Sequence, residues 1–75
     1  MKKKYYEANI WNNVLGNINN YSTYDLGSAK KVFDDWKKDL KLHPERYPRD
    51  AKIILYECKV CDFADVYEEL ERYEN

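Results

Sequence analysis

The sequence predicts an α+β protein with the element order β-β-α-β-α. We expect a small three-stranded, antiparallel-type sheet with one long helix packed on it and a short C-terminal helix. Three observations predict this: a period-two pattern near the N-terminus, an apolar helical stripe in the middle, and an apolar run after two prolines. The length of 75 residues fits one domain, spanning residues 1–75.

The first strand is predicted for residues 4–11, where apolar and polar side chains alternate. One face holds Tyr6, Ala8 and Ile10, and the other holds Tyr5, Glu7, Asn9 and Trp11. Asn12 and Asn13 suit a turn, because asparagine tolerates left-handed backbone angles. A second strand is then expected around residues 15–21, which completes a hairpin.

The long helix is predicted from apolar residues at three- and four-residue spacing. These residues are Leu26, Ala29, Val32, Phe33, Trp36 and Leu40. Thr23 or Asp25 can cap the helix by accepting hydrogen bonds from its free amides. Pro44 disfavours helical geometry at His43, so the helix should end near Leu42.

The C-terminal third is predicted to contain a loop, a strand and a second helix. The loop covers residues 43–50, and the strand covers residues 51–60. Apolar side chains on both faces of this strand indicate an interior strand or one that is covered on both sides. Asp62 can cap the second helix, with an apolar stripe formed by Phe63, Val66, Tyr67, Leu70 and Tyr73.

Charge is unevenly distributed, although the net charge is only −1. Residues 1–60 carry 12 Lys and Arg against 8 Asp and Glu, whereas residues 61–75 carry one Arg against six acids. On the predicted C-terminal helix, the acidic residues could imitate phosphates and block a nucleic-acid channel; they are Asp65, Glu68, Glu69 and Glu71. The alternative, which we favour, is an ordinary solvated helix face.

Two cysteines form a C-x-x-C pair at Cys58 and Cys61. Three interpretations remain open: a zinc site, a redox pair, or a small strand side chain beside a turn residue. We favour the third, because the pair lacks the surrounding residues of a thioredoxin-like motif. His43 has no nucleophile partner, so we expect no catalytic site, no enzyme activity and no cofactor.

Aromatic residues are abundant, with eight Tyr and two Trp in the chain. The predicted core does not need all of them. Tyr and Trp are enriched where proteins bind other proteins. We therefore predict that Tyr5, Trp11 and Tyr56 share a patch that binds a partner. The alternative is that these rings merely cover the open face of a small sheet.

Other partners are less favoured. Lysines on the first strand and the helix could contact nucleic acid, but interleaved aspartates would weaken a phosphate-binding field. No apolar run is long enough to span a bilayer, so we expect no membrane contact and a cytoplasmic location. A homodimer would help to stabilise so small a core.

The strand Lys-Tyr-Tyr-Glu-Ala-Asn-Ile-Trp, the helix Ser-Ala-Lys-Lys-Val-Phe-Asp-Asp-Trp-Lys and the strand Ala-Lys-Ile-Ile-Leu-Tyr-Glu resemble small accessory proteins of phages and mobile elements of low-GC bacteria. The anti-CRISPRs are among these proteins. The resemblance lies in size, pattern and composition. It implies a non-enzymatic inhibitor that binds a host protein, such as a defence nuclease. The alternatives are a small nucleic-acid-binding or regulatory protein, and a zinc or redox protein acting through Cys58 and Cys61.

Overall fold

A computed structural model describes residues 3–74 of the chain. The elements are β1 (Lys3–Asn12), β2 (Gly16–Thr23), α1 (Leu26–Leu42), a short 3-10 helix (Pro44–Arg46), β3 (Lys52–Val60) and β4 (Val66–Glu74). The strands form one antiparallel sheet in the order β2-β1-β3-β4. The α+β class is as predicted, but the described chain has four strands rather than three and a single α-helix.

The predicted C-terminal helix is wrong, because Val66–Glu74 forms β4 and pairs antiparallel with β3. Glu, Leu and Arg are good helix formers, but the free edge of β3 offers this segment a full ladder of hydrogen bonds. Leu70 is the extra residue of a bulge, since its neighbours Glu69 and Glu71 face consecutive residues of β3. Asp62 caps nothing and lies in the irregular segment before β4.

The β1–β2 hairpin is closed by the side chain of Asn12, which is only 5% exposed. Its Oδ1 atom accepts hydrogen bonds from the backbone amides of Val14 at 2.9 Å and Leu15 at 3.0 Å. Its Nδ2 group donates to the carbonyl oxygen of Arg49, in the loop before β3. Gly16 ends the turn with a φ of 77°, which glycine adopts without steric cost. Asn12 therefore joins two loops that are distant in sequence.

Helix α1 begins and ends where the sequence predicts. Asp25 is the N-cap, and its Oδ2 atom accepts from the Ser28 amide at 3.0 Å and the Ser28 hydroxyl at 2.7 Å. These hydrogen bonds lower the pKa of the Asp25 carboxyl. Thr23, the other predicted cap, accepts from the Asp25 amide at 3.2 Å. The helix ends at Leu42, two residues before Pro44.

The core lies between α1 and one face of the sheet, as predicted. Its fully or nearly buried members are Ala8, Ile10, Ala29, Phe33, Leu40, Ala51, Ile53 and Leu55. Val32 and Trp36 of the predicted helical stripe are partly buried against this cluster. Leu26 is 44% exposed, because it lies in the first turn, before the helix reaches the sheet interior.

Side chains of helix α1 also reach β4, whose main attachment is its antiparallel pairing with β3. Lys30 Nζ lies 2.5 Å from Glu71 Oε1 across the edge of the sheet. The amines of Lys37 and Lys41 lie 5.7 Å and 5.3 Å from the ring centroid of Tyr73. Cation–π contacts of this kind are favourable and hold the helix over the sheet edge.

The two edges of the sheet differ in charge. Strand β2 carries no charged side chain, and most of its residues are exposed. Strand β4 carries four glutamates and one arginine. Charged side chains on an edge strand discourage pairing with another chain, whereas an uncharged edge leaves such pairing open.

Candidate functional site on the open face of the sheet

Helix α1 covers one face of the sheet, and no helix in residues 3–74 covers the other. The strand pairing places alternate residues of all four strands on this open face. From the two central strands these are Tyr5, Glu7, Asn9 and Trp11 of β1 and Lys52, Ile54, Tyr56 and Cys58 of β3. From the two edge strands they are Asn17, Asn20 and Ser22 of β2 and Tyr67, Glu69, Arg72 and Glu74 of β4. The structure therefore brings Tyr5, Trp11 and Tyr56 onto one face. It adds the ring of Tyr67, which sequence reasoning had assigned to a helix core.

The tyrosines of the open face form a connected cluster. The rings of Tyr56 and Tyr67 meet edge to face, with centroids 6.0 Å apart and an interplanar angle of 78°. The Tyr5 hydroxyl lies 3.3 Å from the Tyr67 hydroxyl and donates to Asp65 Oδ2 at 3.1 Å. The bond to Tyr67, with burial and the bond to Asp65, raises the pKa of Tyr5. These contacts hold the rings in a fixed arrangement.

A shallow depression of about 350 Å³ lies beside this cluster. It is lined by Glu7, Asn9, Trp11, Asn17, Tyr56 and Tyr67. The lining thus combines three aromatic rings with one carboxylate and two amides. Concave sites with apolar walls and a few polar groups are typical of ligand-binding surfaces.

Two buried polar atoms of the depression have no hydrogen-bond partner in the structure. They are the Oδ1 atom of Asn9 and the Nε1 atom of Trp11. Asn9 is only 5% exposed, so water does not satisfy it from the surface. A buried polar group without a partner typically costs about 1–3 kcal/mol. Such groups are rare in folded proteins, and both of these lie on one face of β1.

The depression also carries the negative charge of Glu7, and the strand pairing places Lys52 and Arg72 on the same face of the sheet. Arg72 pairs with Glu69 at 2.7 Å and with Glu74 at 3.2 Å, which neutralises much of the open face of β4. Among residues 4–74, Glu7 makes no salt bridge. Burial, with the charges of Glu69 and Glu7, raises the pKa of Tyr56.

The acidic residues predicted for the C-terminal helix do not form a common surface. Glu69 lies on the open face. Its neighbour Glu68 lies opposite Glu57 in the register of β3 and β4, on the helix side of the sheet. Asp65 precedes β4 and accepts the hydrogen bond from Tyr5. A strand turns successive side chains to opposite faces, so the acidic helix face proposed as a phosphate mimic does not exist.

The two cysteines differ in environment and are not paired in a disulfide. Cys58 is buried on β3, and Cys61 is exposed after the strand ends. Burial, with the nearby charge of Glu7, raises the pKa of Cys58 to about 11. Redox-active thiols have lowered pKa values instead. Within residues 3–74, no group of three or more His, Cys, Asp or Glu side chains is placed to hold a metal ion.

We expect iodoacetamide at pH 8 to modify Cys61 and leave Cys58 unmodified in the folded protein. The Cys58 thiol is buried and protonated at this pH, and only a thiolate reacts quickly. Mass spectrometry should show one alkylated thiol in native buffer and two in urea. Equal labelling of both cysteines without denaturant would contradict the buried placement.

Sequence reasoning missed Glu7, Asn9, Asn17 and Tyr67 as members of the site. Glu7 and Asn9 alternate with the core residues Ala8 and Ile10, so their shared face was visible in the sequence. Their lack of partners was not visible, since it depends on which residues of β2 and β3 lie opposite. Tyr67 was hidden because its segment was assigned to a helix.

The fold and site define an α+β protein in which a helix covers one face of a four-stranded antiparallel sheet and the other face carries an aromatic, acidic depression. Comparison with models of protein families, with curated proteins and with solved structures gives no match. In the described part of the chain, no helix has both the length and the apolar character needed to cross a membrane.

Proposed function

We propose that the protein is a non-enzymatic binding module that holds a partner protein against the open face of its sheet. The observation that carries this proposal is the grouping of Tyr5, Trp11, Tyr56 and Tyr67 on a face that no helix of the described chain covers. Clustered Tyr and Trp side chains dominate binding energy in many protein interfaces. The hydrogen bonds of the Tyr5 hydroxyl limit the ordering cost of binding.

The resemblance to phage and mobile-element accessory proteins extends the proposal to a biological role. In that role the protein occludes a host protein, such as a defence nuclease, in the cytoplasm of the host cell. Occlusion requires no catalytic group and depends only on a stable contact surface.

Direct nucleic-acid binding, the alternative function, receives less support from the surface charges. Lys30 pairs with Glu71, and Lys37 and Lys41 contact Tyr73, so these lysines are engaged within the protein. The aromatic face, which would have to stack bases, carries the carboxylate of Glu7, which makes no salt bridge with residues 4–74. Negative charge beside the rings repels a phosphate backbone.

The test is capture of partners from a lysate of a low-GC bacterium with nuclease defence systems, after nuclease treatment. We expect the tagged protein to retain one dominant host protein, and Trp11→Ala to weaken that complex by at least 2 kcal/mol, roughly 30-fold. The control is Tyr21→Ala, which removes a 39% exposed aromatic from the other face of the sheet. Calorimetry with the purified partner measures both variants.

Equal affinity of the wild-type protein and Trp11→Ala would rule out the open face as the binding surface. Recovery of nuclease-sensitive material alone would favour the nucleic-acid function. Light scattering of the purified wild-type protein adds a further outcome. A doubled mass with no captured partner would indicate self-association, for which the uncharged edge strand β2 is suited.

A further inference from the structure

The chemistry of the depression indicates what kind of group it accepts. Glu7 supplies a carboxylate without a salt bridge among residues 4–74, and Asn9 supplies a buried carbonyl oxygen without a donor. Both residues line the depression as hydrogen-bond acceptors, beside the rings of Trp11, Tyr56 and Tyr67. A complementary ligand group must therefore donate hydrogen bonds, carry positive charge and have a flat surface that packs on aromatic rings.

We infer that the depression binds the guanidinium group of an arginine side chain presented by the partner protein. This inference rests on the proposed function and names the feature of the partner that the site recognises. The guanidinium donates to the Glu7 carboxylate and to Asn9 Oδ1, while its plane packs on the Trp11 and Tyr56 rings. The Trp11 indole Nε1–H then donates to a carbonyl oxygen of the partner's backbone.

The spacing of the two acceptors suits an arginine. Glu7 and Asn9 lie two residues apart on one face of β1, which places their Cα atoms about 6.5–7 Å apart. A guanidinium presents donors on three nitrogens in a rigid fork, so one group can reach two separated acceptors. A lysine ammonium is a compact, strongly hydrated charge without the flat surface and rigid fork of a guanidinium, so it fits the site less well.

Access to Asn9 requires a small rearrangement, because its Oδ1 atom and the Trp11 Nε1 atom are both screened from water. A ligand group reaches them when the Trp11 ring turns about its side-chain torsions. Both groups have unmet hydrogen-bonding capacity in the free protein, so the ligand group replaces no existing hydrogen bond of either. Binding is therefore coupled to a change in the environment of the indole.

The test is titration of the ¹⁵N-labelled full chain with N-acetyl-arginine methylamide, followed by two-dimensional NMR. We expect saturable shifts, with a dissociation constant in the millimolar range, at the Asn9 side-chain amide and the Trp11 indole resonance. The citrulline derivative, which has a similar shape but no charge, and the lysine derivative should bind more weakly. Glu7→Gln should weaken arginine binding about tenfold, because it removes a charge-assisted hydrogen bond.

The matched variant is Glu68→Gln, which removes a carboxylate from the helix side of the sheet and should leave arginine binding unchanged. Equal response to the arginine and citrulline derivatives, or an unchanged affinity in Glu7→Gln, would overturn the inference. A stronger response to guanosine monophosphate would overturn it in favour of a nucleotide site. Loss of the captured partner in Trp11→Ala, with no response to the arginine derivative, would leave the proposed function standing and reject this inference alone.

Discussion

Replacement of Phe33 by alanine is expected to lower the free energy of unfolding by about 3–5 kcal/mol. Phe33 is fully buried between α1 and the sheet, and the Lys30 amine lies 5.7 Å from its ring centroid. Proteins of 75 residues are typically stable by roughly 4–11 kcal/mol, so the variant should retain little stability. Urea denaturation followed by circular dichroism measures the change.

Two further variants make the Phe33 experiment specific. Phe33→Leu keeps most of the side-chain volume and should cost only about 1–2 kcal/mol. Lys31→Ala changes an exposed neighbour on the same helix and should stay within about 0.5 kcal/mol of the wild-type value. A loss below about 1 kcal/mol in Phe33→Ala would mean that the helix does not pack on the sheet through this residue.

The elements that the sequence predicts correctly are those whose periodicity is uninterrupted. Tyr6, Ala8 and Ile10 alternate cleanly along β1, and the helical stripe around Phe33 has a cap at Asp25 before it and a proline after it. In each case local pattern and tertiary packing favour the same structure, which makes the local signal reliable.

Strand β4 could not be predicted from its own residues. The bulge at Leu70 shifts the alternation by one position, so Tyr67 and Glu69 before it share a face with Arg72 after it. The resulting spacing of apolar residues matches a helix better than a strand. The sequence of β3, rather than that of β4, favoured a fourth strand. Apolar side chains on both faces of β3 fit an interior strand, which has a neighbouring strand on each side.

Replacement of Asn12 by alanine should lower the free energy of unfolding by roughly 2–4 kcal/mol. The substitution removes two hydrogen bonds that close the β1–β2 turn and one that joins this turn to the carbonyl of Arg49. That carbonyl is then left without this donor. Thermal and urea unfolding both report the loss.

The adjacent residue provides the control for Asn12. Asn13→Ala changes an exposed asparagine of the same turn and should alter stability by less than about 0.5 kcal/mol. Asn12→Asp keeps the acceptor for Val14 and Leu15 but turns a buried carboxylate oxygen toward the Arg49 carbonyl, so it should also be less stable than the wild type. Equal stability of Asn12→Ala and Asn13→Ala would contradict a joining role for Asn12.

The site was predictable only in part. Counting aromatic residues and applying strand alternation were enough to group Tyr5, Trp11 and Tyr56. Which polar groups lack a hydrogen-bond partner depends on the residues that lie opposite them in the sheet. The order of the strands decides this, and the order could not be predicted from the sequence. The acidic residues were misjudged for the same reason as β4, since the alternation of a strand turns Glu68 and Glu69 to opposite faces of the sheet.

The central position of β1 has a consequence for how the protein is made. Lys3–Asn12 leaves the ribosome before the other strands, yet one of its edges pairs with Lys52–Val60 near the opposite end of the chain. Pairing over such a sequence separation is slow, because a long loop must close first. During synthesis the nascent chain therefore carries an aromatic strand with one open edge, and an unpaired edge of this kind favours aggregation and chaperone binding.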